Sequence, residues 1–215
     1  MILPIAPYLY LHGFASSPRS AKAQYFADRF QALGISLTIP DLNQGDFYHL
    51  TLSRQIHQVE DLLPTHPPIT LMGSSFGGLT AAWLGERNPQ IDRLILLAPA
   101  FQFLAHWEPK LGAAQMQQWQ SEQSLVTYHY GEAKPMAIDY GFVTDLAQYD
   151  EAEIQRPVPT LILHGEQDEV IPVQASRAFA AHRPWVKLIE LPSDHSLANV
   201  QSDLWQAIQD FCRLR

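Results

Sequence analysis

The stretch Ile69-Thr70-Leu71-Met72-Gly73-Ser74-Ser75-Phe76-Gly77-Gly78 carries an apolar run into a serine flanked by glycines, then into small, helix-favouring residues. The run reads as a buried strand, and Phe76 to Arg87, stopped by Asn88-Pro89, as a tightly packed helix. Gly73-Ser74-Ser75-Phe76-Gly77 satisfies G-x-S-x-G at the point where strand turns into helix. A serine in so sharp a turn adopts strained backbone angles. Glycines two residues to either side leave room for the crossing backbones, and the serine Oγ projects clear of the sheet. By composition alone the pattern matches in roughly 7% of chains this long; its placement between strand and helix gives it weight.

Outward from this turn, short apolar runs alternate with segments of helical spacing. Toward the N-terminus, Pro64, Pro67 and Pro68 force a loop, Thr51 to Leu63 reads as a helix, and Ile35 to Ile39 as a strand. Before it, Ala21, Tyr25, Phe26, Phe30 and Leu33 make an apolar stripe opened by Ser17-Pro18 and stopped by Gly34; Tyr8 to His12 is the first strand. Toward the C-terminus, Arg93 to Ala98, Thr160 to Leu163 and Val186 to Leu191 are strands, and Pro172 to His182 and Asn199 to Cys212 helices. This alternation predicts an α/β fold of βαβ units, a six-stranded parallel sheet with helices on both faces. Between Phe101 and Pro159 it breaks: Trp107, Trp119, Tyr128, Tyr130, Tyr140 and Phe142 are interleaved with Gln, His and Gly in no clean period. Residues 101–159 are therefore expected as a cap inserted between the fourth and fifth strands of one domain spanning 1–215, with Leu125 to Tyr130 and Met136 to Tyr140 as a hairpin within it.

A serine hydroxyl becomes a useful nucleophile when a base takes its proton, and that base needs a carboxylate to fix its tautomer. Asp168 lies just beyond the fifth sheet strand and His195 just beyond the sixth, so Ser75, Asp168 and His195 are the expected catalytic residues, each at the carboxyl end of its own strand. Leu11-His12-Gly13-Phe14 follows the first strand, and the backbone N–H groups of Phe14 and Phe76 are the expected oxyanion donors. Glu166, Glu169 and Asp145 compete with Asp168 as the acid, whereas Asp194 is too close to His195 in the chain to face it. His12 and His164 are read as loop-bracing groups, and Arg19 and Lys22 as solvated or bracing cations, with binding of a substrate anion as the alternative. The cap aromatics either line an acyl pocket or pack the cap onto the body.

Tyr10-Leu-His-Gly-Phe-Ala-Ser-Ser-Pro-Arg-Ser-Ala-Lys-Ala23, together with Gly73-Ser-Ser-Phe-Gly-Gly78, resembles the α/β-hydrolase superfamily and, more narrowly, the small bacterial YqiA-like esterases. The resemblance implies sheet order 2-1-3-4-5-6. It also implies a serine hydrolase that cleaves carboxylic esters or acyl thioesters of a small molecule through an acyl-enzyme on Ser75. An acyltransferase or carbon–carbon bond hydrolase with the same three residues, or a non-catalytic binding protein of the same fold, are the alternatives. The antiparallel strands that usually precede the first parallel strand in the superfamily are missing.

Composition sets the outer bounds. The 215 residues are 47% hydrophobic and 17% charged, which suits a well-buried globular core and excludes a disordered chain. The formal charge of −8 offers no basic footprint for nucleic acid. Cys212 is the single cysteine, so no intrachain disulfide or cysteine-based zinc cage can form, which fits a cytoplasmic protein. His49, His57, His106 and His129 show no metal-ligand spacing, and no cofactor is called for. Pro4 and Pro7 interrupt an N-terminus without basic residues, which argues against a secretory signal, and no apolar run reaches membrane-spanning length. The oligomeric state is left open.

Overall fold

A computed structural model describes residues 7–214; most of the proline-interrupted N-terminal segment lies outside the described residues. Six strands form one sheet: β1 (Tyr8–Leu11), β2 (Leu37–Thr38), β3 (Ile69–Ser74), β4 (Ile91–Leu97), β7 (Thr160–Gly165) and β8 (Val186–Leu191), in the order β2-β1-β3-β4-β7-β8. Every neighbouring pair in it is parallel. With the strands of the cap set apart, this is the expected order of six sheet strands. The inner strands are buried on both sides, which is why they read as continuous apolar runs. On one face, Leu9, Leu11, Leu96 and Ile162 pack against α2 (Leu52–Glu60), α3 (Phe76–Arg87) and α7 (Val173–Ala181). On the other, Tyr8, Tyr10, Ile95 and Leu161 pack against α1 (Ala21–Ala32) and α8 (Gln201–Cys212). Each buried large side chain contributes about 1.5–3 kcal/mol, so the two layers of core fix the helices to the sheet.

Local chemistry sets the helix ends. Thr51 caps α2 by accepting from the Arg54 N–H at 3.0 Å. The expected Ser17-Pro18 start of α1 is displaced: Ser17 Oγ accepts from the Arg19 N–H at 3.2 Å and its carbonyl accepts from the Ser20 N–H, closing a separate turn. Ser20 then caps the helix through the Ala23 N–H. The expected second strand, Ile35 to Ile39, narrows to two paired residues at the sheet edge.

The insertion between β4 and β7 is more regular than its sequence predicts. α4 (Phe103–Leu111) and α5 (Ala113–Glu122) meet at Gly112, whose φ of 79° turns the chain between them. β5 (Ser124–His129) and β6 (Lys134–Asp139) pair antiparallel as the expected hairpin, one residue earlier at each end of the first strand and at the end of the second. α6 (Gly141–Leu146) and a short 3-10 turn at Glu151–Glu153 lead back to the sheet. Among the described residues no helix is long and apolar enough to cross a membrane.

Candidate active site

Ser75 sits between β3 and α3 with φ 54° and ψ −119°, a left-handed backbone that a side chain-bearing residue adopts at a cost of about 1–3 kcal/mol. The turn holds because its surroundings leave no alternative. The Ser75 N–H donates to the Leu97 carbonyl of β4 at 2.9 Å, and the Ser75 carbonyl accepts from the Gly78, Leu79 and Ala100 N–H groups. Gly77 passes directly over the end of β1, where a Cβ would fall 2.5 Å from the His12 carbonyl oxygen and closer still to that of Leu11. Only glycine allows the two backbones to cross there.

The loops after β7 and β8 bring the other two expected residues to this serine. His195 Nε2 lies 3.0 Å from Ser75 Oγ, and His195 Nδ1 lies 2.7 Å from Asp168 Oδ2. With Nδ1–H donating to the carboxylate, Nε2 is free to accept the serine proton. The Asp168 carboxylate is fully buried and saturated with donors. Oδ1 accepts from the Val170 and Ile171 N–H groups, each at 2.8 Å, and His164 Nε2 lies 3.1 Å from Oδ2. Burial by itself raises the Asp168 pKa, yet the hydrogen bonds from His164, His195 and the Ile171 N–H outweigh it and hold the carboxyl well below the usual range.

Of the competing acids, Glu166 and Glu169 are exposed and Asp145 is engaged elsewhere. Asp145 Oδ2 accepts from the Ser53 N–H at 3.0 Å and so caps α2, while Asp194 Oδ1 accepts from the N–H and Oγ of Ser196. His12 braces two loops: Nε2 accepts from the Leu42 N–H and Nδ1–H donates to the Gly13 carbonyl, both at 3.0 Å. Burial pulls its pKa down and keeps it neutral. His164 is wholly buried and joins Ser176, the Ile171 carbonyl and Asp168. Its contact with Asp168 was not foreseen; the i, i+4 spacing across the end of a strand carries no recognisable pattern.

The loop after β1 comes close to the serine. A Cβ on Gly13 would stand 3.3 Å from Ser75 Cβ and 3.9 Å from Ser75 Oγ, which sets Phe14 beside the site. Phe76 is the first residue of α3, where a backbone N–H has no partner within its helix. A cavity of about 1000 Å³ opens over Ser75 and His195. Phe14, Phe103, Trp107, Tyr128 and Val170 supply its apolar wall, and Ser16, Ser20, Lys22, Ser74 and Gln201 a polar one. The cap aromatics thus divide. Trp107 and Tyr128 face the cavity, whereas Trp119 and Phe142 are wholly buried, with Trp119 Nε1 donating to the Ile138 carbonyl at 3.1 Å. Arg19 is exposed and reaches Glu132 in the turn of the β5–β6 hairpin at 3.8 Å. Among the described residues no three His, Cys, Asp or Glu side chains are grouped to hold a metal ion.

The profile of an uncharacterised protein family, UPF0227, matches residues 7–212. No curated protein sequence matches the chain. Est1E from Butyrivibrio proteoclasticus, solved with ferulic acid bound, superposes with a TM-score of 0.79 at 21% identity, covering 96% of this chain and 88% of that one. The alpha/beta hydrolase domain-containing protein 10 from mouse gives 0.76 at 20% identity, covering 96% and 89%. A pyrethroid hydrolase from Sphingobium faniae JZ-2 gives 0.66 at 21% identity, covering 97% of each chain. At these identities the likeness is one of fold, and the fold is that of the α/β hydrolases.

Proposed function

The chain belongs to the uncharacterised protein family UPF0227, and for this member we propose a serine hydrolase that cleaves carboxylic esters or acyl thioesters of small molecules. One observation carries the proposal: Ser75 Oγ, His195 and Asp168 form a continuous hydrogen-bonded chain at 3.0 and 2.7 Å beneath an open cavity. The similarity in fold to Est1E and to a pyrethroid hydrolase agrees with it. We treat the chain as one hydrolase domain, with residues 101–159 as the cap over its site.

In this reading His195 Nε2 takes the Ser75 proton as Oγ attacks the substrate carbonyl, and the oxyanion is held by the Phe14 and Phe76 N–H groups. The protonated His195, paired with Asp168, then delivers that proton to the departing alcohol or thiol, leaving an acyl group on Ser75. Water activated by His195 attacks the acyl carbonyl and releases the acid. A fluorophosphonate probe should label wild-type protein at Ser75. Ser75→Ala should abolish both labelling and turnover of a 4-nitrophenyl ester panel while keeping the wild-type circular dichroism spectrum. Turnover retained in that variant overturns the assignment.

A further inference from the structure

Lys22 stands outside the Ser75, His195 and Asp168 chain but borders the same cavity. It lies in the first turn of α1, two residues after the Ser20 cap, where a lysine ordinarily carries its ammonium into solvent. Here the side chain turns inward, and Nζ donates to Ser74 Oγ at 2.9 Å. Ser74 is the residue before the nucleophile and is itself buried. An ammonium has three donors, and Ser74 accepts one.

Among the described residues no carboxylate comes within ion-pair distance of Nζ. Asp168 and Asp194, the acids whose fields reach it, are committed to His195 and His164 and to Ser196 respectively. A cation partly withdrawn from water and without an ion pair is costly. Burial accordingly lowers the Lys22 pKa to about 8, which still leaves it mostly charged at neutral pH. Ser16, Ser20, Ser74 and Gln201 add neutral hydrogen-bonding groups to the cavity lining, which also holds the aromatic side chains and two acids, Glu169 and Asp194, neither within ion-pair distance of Nζ.

Resting on the hydrolase reading, we infer that Lys22 is an anion subsite of this cavity and selects esters that carry a carboxylate near the scissile bond. The carboxylate supplies the ion-pair partner that Lys22 lacks, and the aromatic side chains take the apolar remainder of the substrate. Two arms distinguish a carboxylate on the acyl side from one on the alcohol side. Monomethyl adipate is compared with dimethyl adipate, and 4-acetoxybenzoate with methyl 4-acetoxybenzoate. In one of the two pairs, wild-type protein should favour the anionic ester in kcat/KM by about 10–100-fold, the scale of a charge-assisted hydrogen bond. In Lys22→Met that ratio should fall to near unity, and Lys22→Arg should recover much of it. If wild type turns over the neutral esters without preferring either anionic partner, the inference falls while the hydrolase reading stands; this comparison needs no variant. A ratio that survives in Lys22→Met likewise overturns the inference, because a lysine that merely braced Ser74 would lower both members of a pair together. Absence of turnover on every ester overturns both.

Discussion

At Ser75 the backbone is held at a positive φ by bonds to β4 and to its own helix, so the position of Oγ is set before any substrate arrives. Asp168 is prepared in the same way, with donors from two backbone N–H groups and two histidines around one buried carboxylate. That saturation suits the proposed role of Asp168 in holding charge and fixing the His195 tautomer. Asp168→Asn should therefore leave the fold intact and lower kcat by about 10³–10⁴-fold, because an amide cannot hold Nδ1–H toward itself with the same charge. Steady-state ester kinetics alongside circular dichroism checks it; a loss under tenfold removes Asp168 from the role. Ser75, Asp168 and His195 were legible in the sequence because each follows directly on an apolar strand run, in an order that the parallel topology constrains. The contacts of Lys22 with Ser74 and of His164 with Asp168 were not, since they join residues 52 and 4 apart that only the packed fold brings together.

At the level of elements, the cap shows what sequence periodicity leaves out. The β5–β6 hairpin was readable from its two apolar runs and the Gly131 turn, but α4 and α5 were not, although Phe103, Trp107 and Leu111 recur at the helical spacing of four. Pro109 lies inside α4 and Gly112 breaks the pair, so propensity opposed a helix that tertiary contacts impose. Those contacts are specific. Phe103, tilted, and Trp107, edge-on, pack against Phe14 with ring centroids at 6.0 and 5.4 Å, and Lys110 Nζ donates to the Glu169 and Val170 carbonyls beside Asp168. The approach to α4 is fixed by Glu151, whose Oε1 accepts from the Gln102 N–H at 2.7 Å. Burial pushes the Glu151 carboxyl up to about 7, with Arg183 and Asp150 the charged groups that face it. A folded-state pKa above the unfolded one means that its contribution is full below the ordinary carboxylate range and is lost as pH rises through about 7. Glu151→Gln keeps the acceptor without the charge. It should raise Tm at pH 8 by about 2–4 °C, the scale of ~1 kcal/mol in a protein this size, and change it little at pH 5. An equal shift at both pH values would remove the ionised carboxylate as the cause.

Over the whole molecule, two buried layers on a parallel sheet account for the low charged fraction, and the crossover rule left few topologies once six strands were identified. What pattern could not give is how unequally the sheet supports its own site. Ser75 rises from a strand with neighbours on both sides, whereas His195 hangs beyond β8, which is an edge strand bonded to β7 alone. The proposed base is thus carried by a margin of the sheet, the part of a structure from which local opening commonly begins. On heating or in urea, turnover should fall before the bulk of the far-ultraviolet signal does, and amides of β8 should exchange with deuterium ahead of those of β3. Coincident midpoints would mean that β8 unfolds together with the centre. On that expectation chemistry and architecture in this chain have separate lifetimes under stress, and the shorter is set at the edge, some 120 residues along the chain from the serine.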